Sequence, residues 1–196
     1  QVQDPTAAEV VAKLGIEKGE AVLDRCCGLG TKTIQMRQAV GEQGSVVAID
    51  PSEERCEVLQ RVAAERELKN VSVRQAGMIE EEMKFSKILV DAPCSNSGVL
   101  ARRPEARYAR DEKTLASLAR LQDRILDDSA PALMSDGRMV YSTCSIWPQE
   151  NSERVKSFLG RHQDYRLLEE KLTFPSVDDD AVKYHDGGYW AVLERR

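Results

Sequence analysis

Two cysteines in this chain stand where a thiol can react. Cys94 lies in "KILVDAPCSNSGVL" and Cys144 in "VYSTCSIWPQEN", each after an apolar, strand-like run and among turn residues. Asp91 precedes Cys94 by three positions, at the end of the same run. An acid and a thiol there suit addition to a pyrimidine. The C5 carbon of that ring is too weak a nucleophile to attack a methyl donor unaided. A thiolate adding to C6 makes C5 an enamine carbon, and an acid hydrogen-bonded at N3 stabilises the developing charge. A base then removes the C5 proton and the thiol departs. Asp91 is placed to be that acid.

A seat for the methyl donor is suggested by "DRCCGLGTKT", which follows the first strand-like run. Gly28 and Gly30 let backbone approach a ligand, and amides at a helix start favour polar or anionic groups. Asp50 follows Gly30 by twenty positions and ends the next strand, where an acid can accept from both ribose hydroxyls of an adenosine. Thr33 stands where a dinucleotide fingerprint needs its third glycine, and the Gly-Lys-Thr ending of a phosphate loop is absent. The adenosine cofactor most compatible with this loop is S-adenosylmethionine.

The other candidates read more plainly. Cys27 and Cys56 are expected to be small core hydrophobes, and His162 and His185 surface residues. No Cys-x-x-Cys pair or histidine spacing suggests zinc, so no metal is expected. The segment "ARRPEARYAR" sets Arg102, Arg103, Arg107 and Arg110 against one acid, with Tyr108 offering a stacking face. It is either a solvated loop or an arm that grips phosphate in bidentate forks.

These residues need a frame that brings strand ends together. Apolar runs at 21–26, 45–50, 71–76, 87–92 and 137–144 alternate with helical spacing over 51–68 and 111–134. A further helix is expected from Pro148 to about residue 162, then strands at 165–172 and 188–195, with "DGGYW" returning the chain as a hairpin. The pattern predicts an open α/β fold with a mostly parallel seven-stranded sheet, an antiparallel last strand and helices on both faces. Ligands of such a sheet collect outside the carboxyl ends of its strands. If consecutive strands are neighbours, about 4.8 Å apart, both thiols emerge at that edge.

The 196 residues suit one domain, and their 41% hydrophobic and 31% charged content is that of an ordinary globular protein. No run is long enough to cross a membrane, and no signal-peptide pattern opens the chain. Five cysteines without scaffold spacing point to a reduced, cytoplasmic protein. A net charge of −5 argues against a uniformly basic nucleic-acid binder.

"LVDAPCSNSGVLARRPEARYAR" and "MVYSTCSIWPQEN" together resemble two motifs of the Sun-type (Fmu-type) RNA cytosine-5 methyltransferases. "VQDPTA" resembles the segment before that family's core and "DGGYWAVLER" its closing strand, so the likeness spans essentially the whole chain. The resemblance implies a Rossmann-like methyltransferase acting on RNA, ribosomal or else transfer, through a covalent adduct. It makes Cys144 the nucleophile that bonds C6, gives Cys94 the release of product, and sets Asp91 against both base and cofactor. Cys26, Cys27, Gly28, Leu29, Gly30, Thr31 and Lys32 become the cofactor loop. Asp50 holds the ribose, Arg55 lies on the cofactor side, and Gly77 occupies the position of an adenosine-contacting acid. Arg102, Arg103, Arg107 and Tyr108 face RNA.

Two departures matter. The family's loop reads Asp-x-Cys-Ala-Ala-Pro-Gly-Gly-Lys-Thr, whereas Cys27, Gly28, Leu29 and Thr31 differ here. Gly77 replaces the acid, and Glu80 stands at the wrong spacing. The alternative is therefore a non-catalytic RNA-binding or ribosome-assembly domain with weakened cofactor binding. A methyltransferase of exocyclic amines is a third reading, but Cys94 sits where those enzymes carry an Asn/Asp-Pro-Pro-aromatic turn. The chain is expected to be a monomeric catalytic domain lacking an RNA-binding region before it, and so to bind RNA weakly.

Overall fold

The computed structural model describes residues 4–75, 79, 82–108, 111–176 and 183–196. Its first half runs α1 (Pro5–Ala12), β1 (Ala21–Asp24), α2 (Thr31–Val40), β2 (Ser45–Asp50), α3 (Glu53–Glu65) and β3 (Val71–Gln75). The second half runs β4 (Phe85–Asp91), α4 (Glu112–Ser129), β5 (Leu133–Thr143), α5 (Ser152–Arg161), β6 (Tyr165–Thr173) and β7 (Gly188–Arg195). The seven strands form one sheet in the order β3-β2-β1-β4-β5-β7-β6. β1 to β5 pair in parallel, and β7 lies antiparallel between β5 and β6.

Successive strand residues point to opposite faces, so a continuous apolar run serves two cores. Val46, Leu89, Val140 and Trp190 pack on one face with Val10 and Leu14 of the α1 region and Met36 of α2. Val47, Val90, Tyr141 and Leu193 turn to the other face, against Leu126 of α4 and Phe158 of α5. Leu59 of α3 packs on Ala48 and Cys27. Helices thus cover both faces, as the alternation predicts.

Three boundaries differ from expectation for local reasons. The helix expected over 111–134 stops at Ser129, because Pro131 cannot donate to its ladder. β5 begins at Leu133 rather than at 137; its pairing jumps from Leu133 to Arg138 across an irregularity, with Asp136 at φ +59°. The helix expected from Pro148 is a short 3-10 turn, then α5. Asn151 breaks it, its side chain held by Thr143 Oγ1 at 2.6 Å and donating to Ser145 O at 2.9 Å. α1 is a helix whose signal stands in "DPT": Asp4 caps the Thr6 amide and Pro5 takes the first position.

Candidate active site

β4 and β5 lie side by side in parallel, with Asp91 paired to Ser142. The loops beyond them meet, and Cys94 Sγ sits 3.2 Å from Cys144 Sγ. Asp91 is gripped on both oxygens: Ser142 Oγ donates to Oδ1 at 2.7 Å and Lys32 Nζ to Oδ2 at 2.6 Å. Asn96 Oδ1 lies 2.9 Å from Cys144 Sγ. Asn96 itself is at φ +58°, a conformation that asparagine tolerates better than most residues.

The paired sulfurs divide one proton unequally. The hydrogen bond from Cys94 holds the Cys144 thiol below its ordinary pKa, against the opposing effect of burial, and Lys32 adds to the lowering. The same bond, reinforced by burial, drives Cys94 well above the ordinary thiol range. Cys144 is therefore the more readily ionised of the two thiols, and Cys94 holds its proton more firmly. Burial alone would lower Lys32, but the Asp91 carboxylate outweighs it and keeps the ammonium charged.

Two cavities meet at Asp91. A narrow one of about 60 Å³ is lined by Lys32, Asp91, Ser142, Cys144, Arg102 and Asp186 among others. A wider cleft of about 490 Å³ opens on the other side, lined by Cys26, Asp50, Pro51, Arg55, Asp91, Leu121 and Ile125 with their neighbours. The wider one has the size and mixed lining of a small-molecule site. Asp50 ends β2 almost fully buried; it accepts from the Gly28 amide at 3.0 Å and the Ser52 amide at 2.9 Å, with Arg55 Nη1 at 3.7 Å. A carboxylate retains acceptor sites beyond two such bonds. An acid, an arginine and apolar walls beside a glycine loop fit S-adenosylmethionine.

Four of the expected cofactor residues, Cys26, Asp50, Arg55 and Asp91, line that cleft. Gly28 joins it through its bond to Asp50, while Cys27 turns into the α3 core and Lys32 faces the narrow cavity. Leu29 is exposed, and Thr31 opens α2. Gly30 caps α2 at φ +86°, and a Cβ there would come within 2.1 Å of Leu59 Cδ1. At the foot of the loop Asp24 is fully enclosed: Thr33 Oγ1 donates to Oδ2 at 2.6 Å, and Oδ1 has no partner among the described residues. Burial pushes its pKa up to about 7. Gly77, Glu80 and Arg110 lie outside the described residues.

In the arginine segment, Arg103, Arg107 and Tyr108 are exposed, Tyr108 at 84%. Arg102 differs: it is ion-paired with the buried Asp186 and borders the narrow cavity. Cys27 and Cys56 are buried as expected. The histidines are not plain surface residues. His162 stacks on Phe158 and contacts Asp127 Oδ1 at 2.8 Å, and His185 is half-buried against Asp186 O. Among the described residues no group of three metal-ligating side chains converges, and no helix is long and apolar enough to cross a membrane.

Glu150 drew no attention in the sequence. It is fully buried between the two cysteine loops and accepts from Ser95 N at 2.9 Å, Ser95 Oγ at 2.5 Å, Ser145 Oγ at 2.6 Å and Gln122 Nε2 at 3.2 Å. The available signal was the repeated Cys-Ser step, Cys94-Ser95 and Cys144-Ser145, with an acid a few residues beyond the second. Gly98 closes the site from behind: its amide donates to Cys144 O at 2.9 Å, and its carbonyl accepts from Gly187 N at 2.8 Å.

The fold is that of the Rossmann-like, S-adenosylmethionine-dependent methyltransferases, and the cleft lies where such a fold seats its ligand. The family described as "16S rRNA methyltransferase RsmB/F" matches residues 11–186, and the chain belongs to it. Among curated relatives, the ribosomal RNA small subunit methyltransferase B of Erwinia tasmaniensis is 37% identical over 203 residues, covering 100% of this chain and 47% of its own. That of Serratia proteamaculans is 41% identical over 172 residues, covering 86% of this chain and 40% of its own. The chain thus spans about half the length of these relatives or less. NSun6 from Pyrococcus horikoshii, solved with SFG, superposes with a TM-score of 0.80 at 26% identity, over 98% of this chain and 52% of that one. A methyltransferase homolog from the same organism gives 0.82 at 25%, over 100% and 68%.

Proposed function

We propose that this chain is a catalytic domain that methylates C5 of a cytosine in RNA, with small-subunit ribosomal RNA as the substrate, through a covalent cysteine adduct. The observation that carries the reading is the 3.2 Å contact of Cys94 and Cys144 beside a clamped Asp91. A scaffold would not need two thiols arranged to share a proton. The family and its rRNA-modifying relatives support the choice of RNA.

S-adenosylmethionine supplies the electrophilic methyl group, and Asp50, Arg55 and Cys26 are the residues that would hold it. The flipped cytosine enters the narrow cavity. Cys144 thiolate bonds C6, which carries electron density to C5. Asp91 holds the base at its N3–N4 edge by accepting from the N4 amino group, and the Lys32 ammonium at its side offsets the charge that develops at N3. Once C5 is methylated, a base takes its proton, the C5–H electron pair restores the C5–C6 double bond, the C6–S pair returns to Cys144 as thiolate, and Cys94 assists release of the product. The free thiols suit a reducing cytoplasm, where the domain works as a monomer.

The test uses RNA and labelled methyl donor with the parent, Cys144→Ala and Cys94→Ala. The parent transfers label and Cys144→Ala does not. Cys94→Ala accumulates a protein–RNA adduct that survives denaturation. A parent that binds no cofactor at millimolar concentration would overturn the reading in favour of a non-catalytic RNA-binding domain.

A further inference from the structure

The residues that carry the thiols sit in loops rather than strands: β4 ends at Asp91 and β5 at Thr143, before either cysteine. No ladder hydrogen bond therefore fixes the distance between Cys94 and Cys144. Beside the one backbone bond from the Gly98 amide to Cys144 O, a side-chain network does, and its centre is Glu150. One oxygen takes the Ser95 amide and Gln122 Nε2; the other takes the hydroxyls of Ser95 and Ser145. Ser95 follows Cys94 and Ser145 follows Cys144, so one carboxylate grips both chains one residue beyond the sulfur.

The rest of the network reinforces that geometry. Gln122 Nε2 also donates to Pro93 O at 2.9 Å, so the Cys94 loop is held on both sides of the cysteine. Ser145 Oγ accepts from Trp147 N at 3.1 Å and contacts Ser97 Oγ at 2.9 Å. Tyr141 Oη donates to Glu150 O at 2.6 Å, fixing the glutamate's own backbone to β5. Four donors converge on Glu150, and only an acceptor-only group with two oxygens satisfies them all. A glutamine would turn an N–H toward a donor and leave that donor unmatched.

We propose that Glu150 is a positioning residue for both thiols: by gripping the two loops one residue beyond each sulfur, it sets the sulfur–sulfur contact. It touches neither sulfur and does not enter the reaction. The inference rests on the reading of Cys144 and Cys94 as the working thiols, but its test does not need RNA.

Cys144 alkylation by iodoacetamide, followed by peptide mass spectrometry from neutral to alkaline pH, reads the thiolate directly. Glu150→Gln is the main variant, and Ser145→Ala and Ser95→Ala each remove one arm of the network. The expected result is a midpoint for Cys144 raised by about one pH unit in Glu150→Gln, hence about tenfold slower alkylation at neutral pH, with smaller shifts in the serine variants. In the methylation assay kcat falls and KM for RNA stays within about threefold. Thermal melts identify which variants are folded; if Glu150→Gln is not, the serine variants decide. A folded variant whose Cys144 profile matches the parent's overturns the proposal. A shifted profile in a protein whose parent methylates no RNA supports the positioning role and overturns the proposed function alone.

Discussion

The two ends of the carboxyl edge are built by different means. At the β1–β2 end the ligand-facing geometry is a property of backbone: a left-handed Gly30, a loop amide on Asp50, and an open cleft of about 490 Å³. At the β4–β5 end it is largely a property of side chains: Glu150, Ser95, Ser145, Gln122 and Asn151 are bonded to one another or to the loop backbone that follows Cys94 and Cys144. The difference follows from what each end must do. A cofactor that comes and goes is served by a cradle that leaves room. Two thiols that share a proton need a fixed separation, because a bond of that kind fails when its partners move apart.

The widest separation between the two ends comes from Cys144→Ala. It removes the proposed nucleophile from the side-chain end, and methyl transfer should fall by at least about a thousandfold. Cofactor binding, measured by calorimetry, should stay within about threefold of the parent. Loss of cofactor binding in that variant would mean that the ends are not independent.

Asp24→Asn probes the backbone end. The folded pKa of Asp24 is raised, so folding takes up a proton between about pH 4 and 7, and the parent loses stability as pH rises through that window. Asparagine cannot ionise and escapes the loss. Asp24→Asn should be more stable than the parent above pH 7, by up to about 4 kcal/mol, with the difference vanishing below about pH 4. Denaturant melts across that range check both the sign and the window.

Gly30→Ala should cost about 2–3 kcal/mol, since a Cβ meets Leu59 and the backbone is left-handed. Its effect on cofactor binding should exceed its effect on Cys144 alkylation. The smallest expected effects lie outside both ends. Arg103→Ala and Arg107→Ala, on exposed side chains, should each weaken RNA binding by about threefold in modest salt and flatten the salt dependence. With a net charge of −5, the parent itself should bind RNA only weakly at physiological salt.

Much of the backbone end was legible in the sequence, and less of the side-chain end. Strand runs such as "SVVAID" carry their own period and punctuation, so β2 falls at Ser45–Asp50 and presents Asp50 where the spacing from Gly30 puts it. The adjacency of Cys94 and Cys144 followed from consecutive strands pairing in parallel, which β4 and β5 do. Glu150 could not be found this way. Its partners Ser95 and Gln122 are 55 and 28 residues away, and no local pattern encodes a bond of that reach. The same holds for Lys32, which the loop motif assigns to the cofactor and the fold turns toward Asp91. Local periodicity writes the elements; convergence of distant side chains is a property of the finished sheet.

Gly98 gives that convergence a place in time. Its amide holds the Cys144 carbonyl and its carbonyl holds Gly187, so three stretches separated by dozens of residues close on one glycine. A Cβ there would lie 2.5 Å from Gly187 O, which leaves no room for any other residue. A chain emerging from the ribosome has made Cys94 and Cys144 long before Gly187 exists to seal the loop between them. The thiol contact and the Glu150 network that sets it lie within residues 93–151, and the seal over them at Gly98 is completed only when Gly187 docks.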